Sequence, residues 1–405
     1  MTARVVVTGL GLITPLGSSS GAFWDGLVAG RSGVTQLTGI ETGRLSVRFA
    51  AQVTDFRPDV WIPGRRAEMM DRVSQFALCA AIDAVRDSGL EFDEATAMEA
   101  ATVIGVGLCG TVTLDDAFKS FYGDNSSRLH PLTLAKSMSS AAPSLISMHF
   151  GLHGPTFTVA SACASGAHAI GQAYRMIASG EVPVAITGGS EAPLTPGTIK
   201  AWEALRVLSA DVCRPFSRNR RGLVIGEGAA VIVLEEREAA LARGATIHGE
   251  ICGYGYSADA GDLMSPDPQG ASLAMRRALK SARLDVGEIG YVNAHGTGTR
   301  LNDISEAAAI RHVFGPSVPV SSLKGALGHS LGAAGAIEAI ATLLALGRKV
   351  LPPTINFEEQ DPECPVDAIP NEARDASADF GLSNSFAFGG LNAVLALGSS
   401  RTALH

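Results

Sequence analysis

Two kinds of apolar run alternate along this chain. Short runs rich in Val, Ile and Thr predict strands over 4–8, 101–106, 156–160, 184–187 and 229–234 in the first half. The same style predicts strands over 247–253, 289–293, 318–322 and 392–397 in the second half. Ala-rich runs of helical period lie between them, over 69–88, 163–178, 272–282 and 332–346. Such alternation points to stacked α/β layers. Pro183 precedes the fourth run, a position where a missing N–H is tolerated. Gly9 and Gly11, after the first run, read as a tight turn.

An internal echo accompanies the alternation. Cys163-Ala-Ser-Gly opens one Ala-rich helix and His329-Ser-Leu-Gly opens another, each after a short β run. Either the chain holds two copies of one α/β unit facing a shared site, or two Ala/Gly-rich segments match by chance. The duplicated reading divides the chain into 1–245 and 246–405, with Glu235-Glu-Arg-Glu as an exposed connector or helix.

Composition narrows the class. Charged residues make up 18% and hydrophobic ones 46%, a balance that buries a core and excludes a disordered chain. Net charge is −8 and only six residues are Lys, so there is no basic footprint for nucleic acid. No apolar run reaches the ~20 residues that span a bilayer; Ile337 to Leu346 is short and carries Glu338. The six Cys show no C-x-x-C spacing, which argues against a zinc ribbon or redox pair and for a reducing, cytoplasmic setting. Neither a P-loop nor a dinucleotide glycine fingerprint is present, so no nucleotide cofactor is expected.

Candidate chemistry sits where predicted strands give way to helices. Cys163, among small residues at a predicted helix start, would feel the positive end of the helix dipole and unpaired N–H groups, both of which favour thiolate. The alternative is a buried Cys serving as a small hydrophobe, which suits Cys79 and Cys364 better. His295, in Asn293-Ala-His-Gly-Thr-Gly-Thr, follows a strand and enters a Gly/Thr turn. His329 stands near the second helix start, where imidazolium is disfavoured. Two neutral imidazoles would polarise one thioester oxygen, or each ring is structural. Lys324 and Glu306 would hold the two His loops in register if they form a buried ion pair. Phe388, beside Gly389 and Gly390, reads as a gate or as a core aromatic.

Together these segments resemble the β-ketoacyl synthases, condensing enzymes of the thiolase-like superfamily. The likeness runs from Val7-Thr-Gly-Leu-Gly-Leu-Ile-Thr-Pro-Leu-Gly to Asn384-Ser-Phe-Ala-Phe-Gly-Gly-Leu-Asn. Its most specific parts are Ser161-Ala-Cys-Ala-Ser-Gly, the His295 and His329 segments, and Cys213-Arg-Pro-Phe-Ser with Gly226-Glu-Gly-Ala. The nodulation-type and reducing type II polyketide branches are the nearest in style. The resemblance implies a duplicated thiolase-like α/β fold layered α-β-α-β-α. It implies Cys163 as nucleophile, His295 and His329 as catalytic histidines, and Lys324 and Glu306 as the active-site Lys and Glu. It assigns Phe388 to gating, Thr297 and Thr299 to pantetheine, Leu108 to the acyl tunnel, and Arg65 and Arg66 to carrier docking, with Lys136 and Arg206 assisting.

The implied reaction is decarboxylative Claisen condensation between malonyl on an acyl carrier protein and an acyl chain on Cys163, in fatty-acid or polyketide elongation. No metal or redox cofactor is implied. The expected partners are the carrier and a second chain, either a copy or a chain-length-factor-like relative. A degradative thiolase would place a second Cys in the late Gly-rich loop, which has none, and a non-catalytic chain-length partner would replace Cys163. Departures from the family pattern are Leu323-Lys-Gly before His329, Ala387 in the gating loop and Leu391 after its glycines.

Overall fold

The structure, a computed structural model, describes residues 3–404. Five strands of the first half, β1 (Val5–Ile13), β2 (Ala101–Gly105), β3 (Thr156–Val159), β4 (Val184–Glu191) and β5 (Gly228–Glu236), share one sheet with five of the second. The latter are β6 (Gly249–Ala258), β7 (Ile289–Asn293), β8 (Pro319–Ser321), β9 (Phe380–Ala387) and β10 (Leu391–Ser399). The two-residue strand Asp367–Ala368 pairs with β8 at one edge.

Strand order reveals the duplication. From the opposite edge it reads β3-β2-β4-β5-β1 and continues β6-β10-β9-β7-β8, the same order reversed. Directions repeat too: β2 is parallel to β3 and β4, as β7 is to β8 and β9. β4–β5 and β5–β1 are antiparallel, as are β9–β10 and β10–β6. The halves join where Val5, Val6 and Val7 pair with Ile251, Glu250 and Gly249.

Helices complete five layers. On the outer face of the first half pack α1 (Arg72–Ser88) and α2 (Ala141–Phe150), burying Phe76 and Ile146 against Ile104 and Val231. Two more, α3 (Ser165–Ala178) and α4 (Pro268–Ala282), take different places. Helix α4, with α5 (Arg300–Phe314), covers the outer face of the second half through Met275 and Ile310. Helix α3 lies between the halves beside α6 (Ala334–Arg348), where Ile170 and Ile340 meet Val103, Leu234, Tyr291 and Leu395. This is the thiolase-like α-β-α-β-α arrangement. A helix enclosed on all sides is apolar all round. Accordingly the stretch Leu331–Arg348, long and apolar enough to cross a membrane by length and composition, is core here.

Several sequence expectations shift. Gly9 and Gly11 do not turn the chain; they lie within β1. A Cβ on them would sit 2.0 Å from the Ala84 carbonyl oxygen and 1.8 Å from that of Ala80, so they let α1 press onto the strand. Glu235 and Glu236 are not an exposed connector. They end β5, and Glu235 is buried, paired with Arg243 at 2.6 Å. Ser383 to Ala387, just before the Phe388 turn, belong to β9. Helix α5 escaped the periodicity because its buried face carries Asp303, Ser305 and Glu306.

Forcing a methyl group between β1 and α1 tests this packing. Gly11→Ala is expected to cost about 1–3 kcal/mol, read as a lowered denaturation midpoint. Gly21→Ala, where nothing lies within 4 Å of the added carbon, should change it little.

Candidate active site

The nucleophile candidate stands at a sharp elbow. β3 ends at Val159, one 3₁₀ turn spans Ala162–Ala164, and α3 begins at Ser165. Ala162 is held at φ 47°, a conformation that L residues with a Cβ rarely adopt. The second half repeats the elbow: a 3₁₀ turn at Leu331–Ala333 leads into α6, with Leu331 at φ 45°. Cys163 therefore corresponds to Gly332. The echo that aligned Cys163 with His329 was real but out of register, because Lys324 and His329 ride on extra chain between β8 and the second elbow.

His329 comes to the sulfur, and His295 packs against His329. His329 Nε2 lies 3.1 Å from Cys163 Sγ. The His295 and His329 rings meet edge to face with centroids 5.2 Å apart. Both are buried, yet all three residues line a cavity of about 690 Å³ with Thr297, Thr299, Trp202 and Phe388. Thr297 and Thr299 share a hydroxyl hydrogen bond of 2.8 Å. Phe388 is half-buried on the turn between β9 and β10 and stacks on Trp202, centroids 5.8 Å apart. Gly389 and Gly390 in that turn have φ of 83° and 68°, which requires glycine.

The expected Lys324–Glu306 pair does not form. Lys324 Nζ instead donates to Glu338 Oε1, with both groups fully buried. Glu306 accepts the backbone N–H of His295 at 2.8 Å and of Gly296 at 2.7 Å, plus Asn384 Nδ2 at 3.2 Å. It thus positions the His295 loop directly, with no lysine involved. Glu338 was noted only as a charge interrupting an apolar helix. That interruption was itself the signal, because a charge on a helix apolar all round needs a buried partner.

Burial dominates the electrostatics. It drives both imidazoles well below their ordinary value, and the Lys324 charge pushes the same way. Both rings are therefore neutral. Burial also pushes the Cys163 thiol up to about 12, against the pull of Lys324. The helix start does not make a resting thiolate, as the sequence had suggested; the sulfur rests protonated. Glu306 and Glu338 are each raised to about 7 by burial, opposed by backbone N–H groups at Glu306 and by Lys324 at Glu338.

The outlying candidates fall elsewhere. Leu108 is 40% exposed and does not line the cavity at Cys163. Arg65 and Arg66 lie on the 3₁₀ turn Gly64–Met69, ahead of α1. Arg65 pairs with Glu68 at 2.9 Å, and Lys136 Nζ donates to the Glu68 carbonyl at 3.3 Å. Arg206 lines the cavity, as do Arg221 and Arg300, which the sequence reading did not single out.

An elbow cysteine facing two neutral histidines inside a duplicated α/β fold defines a carbon–carbon condensing centre. Family comparison agrees: residues 2–240 match the N-terminal domain of the β-ketoacyl synthases and residues 248–358 the C-terminal domain. The chain belongs to the β-ketoacyl synthase family. It is 44% identical to nodulation protein E of Rhizobium sp. (strain N33) over 98% of this chain and 99% of that protein. It is 40% identical to 3-oxoacyl-[acyl-carrier-protein] synthase 2 of Synechocystis sp. (strain ATCC 27184 / PCC 6803 / Kazusa) over 97% of each. Among solved structures, the ishigamide ketosynthase/chain length factor superposes with a TM-score of 0.95 at 37% identity, covering 98% of this chain and 100% of that one. A β-ketoacyl synthase from Burkholderia phymatum STM815 gives 0.92 at 37% identity, covering 98% and 99%.

The buried pair separates stability from chemistry. Removing either partner alone, by Lys324→Met or Glu338→Leu, should destabilise by roughly 3–5 kcal/mol, whereas the double variant should recover most of that loss. Wild-type imidazole nitrogens followed by NMR should stay neutral as pH falls from about 8 to about 5.5. In the double variant the repelling ammonium is gone, so both rings should begin to protonate at higher pH than in wild type.

Proposed function

We propose that this chain is a β-ketoacyl-[acyl carrier protein] synthase that lengthens an acyl chain held on Cys163 by condensation with malonyl-carrier. The observation that carries the reading is the 3.1 Å contact between Cys163 Sγ and His329 Nε2 in a cavity shared with His295. In the first stage Sγ attacks the acyl thioester. A new C–S bond forms, the bond to the carrier's pantetheine sulfur breaks, and the Cys163 proton ends on that departing sulfur. The exchange is proton-neutral, so a resting thiol is no obstacle once His329 is in reach. The backbone N–H groups of Cys163 and Phe388 serve the carbonyl oxygen as it becomes an oxyanion.

In the second stage malonyl-carrier occupies the cavity, with its pantetheine arm along Thr297 and Thr299. His295 and His329 donate N–H bonds to its thioester oxygen. A neutral donor suits this task, because an imidazolium would first form an ion pair with the malonyl carboxylate it must release. Loss of CO₂ leaves the electron pair as an enolate, whose carbon attacks the acyl carbonyl. The C–S bond to Cys163 breaks, a β-ketoacyl-carrier is formed, and Sγ takes up one proton.

The solved relatives include a type II polyketide acyl-carrier protein in complex with its ketosynthase and a ketosynthase in complex with its chain length factor. For this chain the carrier docks by its acidic surface at Arg65 and Arg66, with Lys136 beside them and Arg206 at the cavity. A second chain, a copy or a chain-length-factor-like relative, sits along the open edge of β3. There Phe157 is 39% exposed, and Met138 beside Ser139, which the strand holds through Thr158, is 55% exposed. Leu108, on the same side of the sheet in β2's following loop, completes the acyl tunnel there. The six free thiols suit a reducing cytoplasm, and the pathway is fatty-acid or polyketide elongation.

Incubation with acyl-carrier should add the acyl mass to the wild-type protein and not to Cys163→Ala; condensation that persists without this thiol would sink the reading. His295→Ala should still acylate while malonyl decarboxylation falls about 10²–10³-fold, the usual cost of one oxyanion donor, whereas His329→Ala, which also removes the group beside the thiol, should slow acylation as well. Charge reversal at Arg65 and Arg66 should raise the KM for carrier several-fold and leave the alkylation rate of Cys163 unchanged. An unaltered KM would move the docking site elsewhere.

A further inference from the structure

The duplicated elbows differ in what meets them. In the second half, the N–H of Gly332 stands where the N–H of Cys163 stands in the first. That Gly332 N–H donates to Glu191 Oε2 at 3.0 Å. The same oxygen accepts the N–H of Gly107 at 2.9 Å, and the Leu108 N–H is shared between both carboxylate oxygens at 3.1 Å. Glu191 is fully buried at the end of β4, and among the described residues it forms no salt bridge. Its polar partners there are these three peptide N–H groups.

Register identifies the corresponding residue in the other half. β2 ends at Gly105, opposite Gly189, and β7 ends at Asn293, opposite Ser383. Glu191, two residues past Gly189, therefore corresponds to Ser385. Serine is too short to cap an elbow as the glutamate does, so the N–H of Cys163 is left for a substrate oxygen. By the same register Gly107 and Leu108 correspond to His295 and Gly296, whose N–H groups are held by Glu306. Each half thus has a strand-end loop clamped by one buried carboxylate. Only Glu191 also reaches an elbow.

We propose that Glu191 is a positioning residue of the acyl-transfer centre: its carboxyl group fills the second elbow and through it fixes the spacing between Cys163 and His329. The path is short. Gly332 is three residues from His329, and the two elbows are in contact: a Cβ on Gly166 would come within 2.8 Å of the Gly332 carbonyl oxygen. On the other side Gly107 packs near the Ala162 carbonyl, the residue before the nucleophile, where an added Cβ would lie at 3.4 Å. One carboxylate therefore ties the loop under the nucleophile to the turn that presents the base. Burial raises Glu191 to about 8, and the three N–H groups oppose the rise. The clamp therefore depends on these three hydrogen bonds, and losing any of them weakens it.

The inference rests on Cys163 and His329 acting together, but its test needs neither carrier nor malonyl. Iodoacetamide labelling, followed by mass spectrometry, compares Cys163 with the half-exposed Cys109 and the buried Cys79 and Cys213 in one protein. Glu191→Gln keeps the side chain's shape but turns one acceptor into a donor aimed at N–H groups. We expect Cys163 labelling to fall between about tenfold and about hundredfold, as for a displaced reacting group, with the other cysteines unchanged. Glu191→Ala should show the same loss, and added formate should restore part of it by occupying the vacated carboxylate position. A general loosening of the fold would instead speed labelling at Cys79 and Cys213. That result, or wild-type labelling of Cys163 in a folded Gln variant, would overturn the proposal. If the Ala variant does not fold, the Gln variant decides alone. Normal labelling with absent condensation in wild type would count against the ketosynthase reading and not against Glu191.

Discussion

The starts of α3 and α6 come so close that no side chain fits between them, and the active site follows from that contact. A Cβ on Gly335 would lie 2.9 Å from Ala167, and one on Gly166 would lie 2.8 Å from the Gly332 carbonyl oxygen. Glycine at these positions is a steric requirement. Because the helices open at the junction of the halves, whatever their elbows carry is held in a place both sheets enclose. The cysteine comes from one half and both imidazoles from the other. Neither half alone holds the set.

Enclosure sets the electrical character of the site. Within it, three titratable groups that would be charged or switchable in water are forced to the neutral form: the Cys163 thiol and the two imidazoles. The charge that remains is Lys324, buried against Glu338. A buried ion pair is a poor stabiliser, since desolvation offsets the attraction. Its value here lies in the field. The ammonium disfavours a second cation nearby, which keeps the histidines as N–H donors, and it draws the thiol toward ionisation. Desolvation of the buried sulfur is the largest influence on it and raises its pKa.

Much of the fold was legible because the pattern carries it. Strands such as Ile289–Asn293 matched the expectation residue for residue, since a short apolar run ending at a Gly/Thr turn reads as a strand. Cys163, His295 and His329 stand out in the sequence because reactive side chains next to glycine at strand ends have few structural uses, and the structure brings all three to one cavity. What escaped was whatever depends on a partner distant in sequence. Glu306 and Lys324 were the right residues paired wrongly: the carboxylate binds peptide N–H groups eleven residues upstream, and the ammonium reaches a glutamate inside an apolar helix. Gly9 and Gly11 were read as a turn because close approach by α1 leaves no local trace. The cavity-lining Trp202 was invisible for the same reason, as its stacking partner Phe388 belongs to the other half.

The misaligned echo explains how one fold element was put to two uses. Both halves build the same elbow, with the same left-handed residue at its start, Ala162 in one and Leu331 in the other. Such a turn aims successive N–H groups at one point and attracts an anion wherever it occurs. A protein with two of them must decide what each holds. In the first half the point is left open beside Cys163, which lines the cavity. In the second a glutamate carboxylate is already there. The extra chain before the second elbow then carries Lys324 and His329, which have no counterpart in the first half. Duplication supplied the symmetry of the scaffold. The departures from that symmetry gather at one place, with one elbow open beside Cys163 and its twin occupied by Glu191.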